Sequence, residues 1–66
     1  MDIVINGEER AVPDAYTIGH LVDELNLMGK RFAVEVNEEI IPRSQYGNRR
    51  LAPGDKVEIV HAIGGG

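Results

Sequence analysis

The sequence predicts an α+β domain in which one helix covers one face of a mixed four- to five-stranded sheet. Three observations predict it. Short stretches of period two lie at both ends and in the middle, one stretch of helical period lies between them, and Gly, Asn and Pro turn signals separate the pieces. With 66 residues and no cysteine, the chain is expected to form one domain over residues 1–66. Neither a disulfide framework nor a thiolate metal site supplements the core of so small a unit.

Asp2-Ile3-Val4-Ile5 is a β-branched run that meets Asn6-Gly7, a pair suited to a type I′ turn because both residues tolerate positive φ. A second, mostly polar strand over residues 8–12 is closed by Pro13, which suits a sheet edge. Thr17 is an N-cap candidate, and Ile18, Leu21, Val22 and Leu25 follow at the i, i+3, i+4, i+7 spacing of one helix face. His20, Asp23 and Glu24 fall outside that stripe, so His20 reads as a solvent-facing residue. Gly19 costs about 1 kcal/mol against Ala inside a helix and signals either a frayed first turn or close packing against a neighbour. Gly29 marks the stop of the helix.

Phe32-Ala33-Val34-Glu35-Val36 alternates, with Phe32, Val34 and Val36 on one face and Ala33 and Glu35 on the other. Asn37-Glu38-Glu39 reads as a turn, Ile40-Ile41 as a brief strand cut off by Pro42, and Ser44 as the start of one helical turn ending near Gly47-Asn48. Pro53-Gly54-Asp55 is a tight turn into a terminal strand over residues 57–62. A right-handed crossover lays that last strand parallel to the first, which makes a β-grasp arrangement. The expected core is Ile3, Ile5, Leu21, Val22, Leu25, Phe32, Val34, Val36, Val57 and Ile59.

The terminal strand stops in Gly64, Gly65 and Gly66. Consecutive glycines lose the most entropy on ordering, so these three are expected to be poorly ordered in the isolated protein. Extended, they and Ile63 project a carboxylate some ~13 Å from the sheet, thin enough for a narrow channel in another protein. A frayed end without a role is the alternative. The sheet face turned from the helix carries Val4, Ala33, Glu35, Glu58, Val60 and Ala62, small apolar residues among acids. It is the expected partner-binding surface, with a plain solvated sheet face as the alternative.

Formal net charge is −4, and the first 29 residues hold six acids against one base, Arg10, which argues against nucleic acid as a partner. Lys30-Arg31 and then Arg43, Arg49 and Arg50 gather the bases, either as a contact for an acidic partner or as solvated loop. Met1-Asp2-Ile3 opens the chain without a basic region or apolar segment, so no signal peptide, no membrane span and a cytoplasmic location are expected. Asp23-Glu24 and Glu38-Glu39 are adjacent acids that diverge rather than pair, and no metal-ligand spacing surrounds His20, so an enzyme is not expected.

The chain resembles the sulfur carriers of thiamine biosynthesis, a branch of the ubiquitin-like β-grasp family, over nearly its whole length. The resemblance lies in Ile3-Val4-Ile5-Asn6-Gly7-Glu8, in Phe32-Ala33-Val34-Glu35-Val36-Asn37 running to Ile41-Pro42-Arg43, in Leu51-Ala52-Pro53-Gly54-Asp55-Lys56-Val57-Glu58-Ile59-Val60, and in Gly65-Gly66. Gly19 and His61-Ala62 depart from the pattern without touching the carrier chemistry. The resemblance implies that Gly66 is the residue covalently changed. An adenylating enzyme of the ubiquitin-activating type (ThiF-like) would convert its carboxylate to an adenylate, a persulfide sulfur donor would turn that into a thiocarboxylate, and thiazole synthase (ThiG-like) would consume the sulfur. ATP would be used by the partner, and no cofactor would be bound here, since the chain has no Gly-rich phosphate loop followed by Lys and Ser or Thr. Two alternatives stand beside this reading: a small subunit of molybdopterin synthase, and a ubiquitin-like modifier joined to lysine through Gly66.

Overall fold

A computed structural model describes residues 1–61. Five strands, β1 (Asp2–Ile5), β2 (Glu8–Ala11), β3 (Phe32–Val36), β4 (Glu39–Ile41) and β5 (Lys56–His61), accompany one helix, α1 (Ile18–Glu24), and a 3-10 turn at Arg43–Gln45. The strands lie in the order β2-β1-β5-β3-β4. As expected, β5 runs parallel to β1, with Ile5 beside Val57, while the other neighbours are antiparallel. The sheet is thus two hairpins joined through the last strand, and the polar β2 forms one edge.

Both hairpin turns need a left-handed backbone, which Asn6, Gly7 and Asn37 accept readily and Glu38 takes against its own preference. Asn6 and Gly7 stand at φ 49° and 85°, the pairing a type I′ turn needs. Asn37 and Glu38 repeat it at φ 51° and 71°. Because Glu38 completes that turn, Glu39 is released from it and opens β4.

The helix is capped as predicted and shorter than predicted. The Thr17 side chain accepts a hydrogen bond from the His20 amide at 3.1 Å, and His20 Nδ1 accepts one from the Thr17 amide at 3.0 Å, a reciprocal box at the first turn. His20 is solvent-facing, and this bond is its work in the fold. At the other end the helix stops at Glu24, not at Gly29, because Asn26 takes φ 56°. The Asn26 amide then bonds Asp23 O and the Leu27 amide bonds Val22 O, both at 3.1 Å, which is a Schellman ending with Asn in the left-handed place. Gly19 marks close packing rather than fraying. Its amide donates to Tyr46 O at 2.9 Å, and a Cβ there would meet that same oxygen at 3.4 Å.

Ile3, Ile5, Val34, Val36, Val57 and Ile59 turn to the helix and are buried with Leu21 and Val22, as expected. Leu25 and Phe32, also expected in the core, are only partly buried and pack against its rim. Ending the helix one turn early puts Leu25 at its cap, and Leu27 is buried instead. Val12, Tyr16, Ile18, Ile41, Tyr46 and Leu51 complete the core. Of these, Tyr46 follows a 3-10 turn that starts at Arg43, one residue before the expected Ser44.

Candidate functional site: the open sheet face and the strand that leads to the tail

The central strand β5 positions the site. It is hydrogen-bonded to β1 on one side and β3 on the other. Its start is held by Asp55, whose carboxylate accepts from the Ala52 amide at 2.8 Å and from Asn37 Nδ2 at 3.1 Å. Asn37 Oδ1 in turn accepts from the Lys56 amide at 3.0 Å, so the turn before β5 is tied to the β3–β4 hairpin. Further along, Asn6 Oδ1 accepts from the Ile59 amide at 2.9 Å. These bonds fix the phase of β5, and the phase decides which side chains face out.

The face opposite the helix carries Val4, Ala33, Glu35, Glu58 and Val60. Val4, Ala33 and Glu35 are half-buried, and Glu58 is exposed. Val60 is 50% exposed, enough to leave it available to a partner. Ala33 lies directly across from Val60 and Glu35 directly across from Glu58. Like charges facing across a ladder cost stability, and such an arrangement is tolerable where solvent or a basic partner screens it. Glu9, across from Val4, adds a third acid to this face, and Lys56, beside Val4, contributes a base. The expected members Ala62, Gly64, Gly65 and Gly66 lie outside the described residues, as does the expected poor order of the tail.

Glu9, Lys56 and Ile40 were not among the residues expected on this face. Ile40 is 68% exposed and lies across from Glu35, so it extends the apolar part of this face onto β4. The signal was present in the Ile40-Ile41 pair, since consecutive strand residues point to opposite faces and only one of the two reaches the core. The bases divide differently from their order in sequence. Arg49 and Arg50 sit under the start of α1, where Arg49 O accepts from the Ile18 amide at 3.1 Å and Arg50 pairs with Thr17, whereas Arg43 lies beside Phe32.

Among the described residues no helix is long and apolar enough to cross a membrane, and no group of three or more His, Asp or Glu side chains is placed to hold a metal ion.

A five-stranded β-grasp sheet with one helix, whose central strand leads toward a glycine-rich end, defines the class of ubiquitin-like β-grasp proteins. Comparison narrows it. The model of the ThiS family matches residues 3–66, and the chain belongs to that family. It is 38% identical over 63 residues to the sulfur carrier protein ThiS of Bacillus subtilis, covering 94% of this chain and 96% of that one. A crystal structure of the thiamine biosynthesis protein ThiS from Geobacter metallireducens superposes over all of both chains with a TM-score of 0.85 at 26% identity. The whole chain is also 47% identical to part of a thiazole synthase of Paramagnetospirillum magneticum, and spans 20% of that protein's length. It covers the same share of a second thiazole synthase, from Magnetococcus marinus.

Proposed function

We propose that this chain carries sulfur for thiazole formation as a thiocarboxylate on Gly66. The observation that carries the reading is the placement of β5: the strand leading to Gly64-Gly65-Gly66 is paired with β3 from Val57 to His61 and with β1 at Lys56 and Val57, so a firm body ends in a segment with no side chains to obstruct a channel. A carboxylate is inert toward nucleophiles until one oxygen becomes a leaving group. In the proposed sequence the Gly66 carboxylate attacks the α-phosphorus of ATP within an adenylating enzyme, pyrophosphate leaves, and a glycyl adenylate remains. The terminal sulfur of a persulfide then attacks the acyl carbon and expels AMP, and a thiol reduces the resulting acyl persulfide to the thiocarboxylate. All groups that bind ATP belong to the partner. Thiazole synthase is the proposed acceptor, a reading supported by relatives of that name that contain a stretch 47% and 36% identical to this chain.

The open face is the proposed docking surface for both enzymes. Val4, Ala33, Ile40 and Val60 offer apolar contact, and Glu35 and Glu58 select a basic partner and speed encounter. Incubation with ATP, a cognate adenylating enzyme and a sulfur source should raise the intact mass by the exchange of one oxygen for sulfur, located at Gly66 by fragmentation. Val60→Asp should leave the melting temperature nearly unchanged, because the side chain is half exposed. It should slow adenylation sharply, and a parental rate would remove the open face from this reading.

A further inference from the structure

Where β5 ends, the surface changes sign. Arg31, Phe32, Ala33, Arg43, Val60 and His61 line a depression of about 310 Å³. Phe32 lies directly across from His61, and the Arg43 guanidinium sits 5.4 Å from the Phe32 ring centre. The same ring is stacked on Tyr46, with centroids 6.1 Å apart. A second depression of about 210 Å³ shares Phe32 and Arg43 and reaches Met28, which is 74% exposed. The two depressions adjoin at Phe32 and Arg43, and the first sets apolar side chains between the guanidinium groups of Arg31 and Arg43.

Its charge is unanswered within the described residues. Their side-chain ion pair is Arg10 with Glu24, and neither Arg31 nor Arg43 has a carboxylate of the described residues within 4.0 Å. In a chain of net charge −4, two such cations beside an apolar floor are complementary to an acidic segment that also carries an apolar side chain. Because Arg43 is already laid against an aromatic ring, less rotamer freedom is lost when its fork takes a carboxylate.

We propose that the Arg31–Phe32–Arg43 groove docks an acidic segment of the adenylating enzyme at the mouth of the channel that receives the glycine tail. The proposal rests on the reading that Gly66 is adenylated, and adds a contact of opposite charge that adjoins the acidic open face through Ala33 and Val60. Two patches of opposite sign fix the rotation of the carrier about the axis of β5, which one patch cannot do. The acidic face finds the partner, and the basic groove sets the register at the tail.

The test is ATP–pyrophosphate exchange by the cognate adenylating enzyme, with the carrier varied at several salt concentrations. Arg31→Glu/Arg43→Glu should raise KM for the carrier by about tenfold with kcat little changed, and should flatten the dependence of kcat/KM on salt. Arg43→Lys should recover part of the loss, since an ammonium keeps the charge but not the fork. Arg31→Glu alone changes an exposed residue that does not stack on Phe32, and carries the same test if the double variant melts early. Parental KM and salt dependence in the charge-reversed carriers would overturn the groove while leaving the adenylation reading intact. No exchange with the parent carrier itself would overturn both.

Discussion

Tyr16 is the residue whose environment most changes its chemistry. It is 3% exposed, and its hydroxyl has no hydrogen-bond partner among the described residues. Glu24 lies near enough to disfavour the phenolate, but its Oε2 is taken by Arg10 at 2.8 Å and makes no bond to the phenol. Burial first, then this carboxylate, pushes the phenol from 10.0 up to about 12, with Arg10 opposing. The folded state therefore holds its proton through a range where the unfolded state has lost it. That contribution is complete below pH 10.0 and is lost as pH rises toward about 12, by on the order of 2 kcal/mol. Urea unfolding of the parent and Tyr16→Phe across this range should show the difference between them changing by that amount. At neutral pH Tyr16→Phe should be neutral or stabilising by up to about 1 kcal/mol, because it removes an unpartnered buried hydroxyl.

At the scale of the element, α1 has seven residues, too few to persist alone in water. It is held by its ends and by one buried face. The Thr17–His20 box satisfies the first turn, the Asn26 ending satisfies the last, and Ile18, Leu21 and Val22 are buried between them. Leu25, which shares their spacing, sits at the cap and is only partly buried. Leu21→Ala should accordingly cost roughly 2–5 kcal/mol in chemical denaturation, and Leu25→Ala roughly 1–2 kcal/mol. Equal losses at the two positions would mean that the helix runs a turn further than Glu24.

For the molecule as a whole, the decisive pairing is between the first strand and the last. The β1–β5 ladder has two registered pairs, and Asn6 then carries it one step further through its side chain to the Ile59 amide. One residue thus supplies both a turn with φ 49° and a bond to a residue 53 positions away. Asn6→Ala loses both functions and should cost roughly 1–3 kcal/mol. Asn6→Gly keeps the turn and loses only the acceptor, so it should cost less. Denaturation of the two variants separates the terms, and equal costs would assign the whole effect to the lost bond.

The parts of this protein legible in its sequence are those decided by neighbours in the chain. Asn6-Gly7 specifies its turn by its own backbone preferences, Thr17 caps by reaching three residues on, and alternation in Phe32–Val36 assigns Val34 inward and Glu35 outward once the strand exists. The expected members of the open face followed from that alternation, whereas Glu9, Lys56 and Ile40 were added by the cross-strand register. Tertiary structure alone decided the rest. Tyr16, Tyr46 and Leu51 occupy segments without period, and they are buried because Gly19 admits the Tyr46 carbonyl against α1 and the Leu51 amide bonds Tyr16 O at 2.8 Å. The groove at the end of β5 is assembled from residues near positions 31, 43 and 61, which acquire one another as neighbours only when β5 inserts between β1 and β3. Periodicity reports a residue's own element, and a site built from three elements has no period to read.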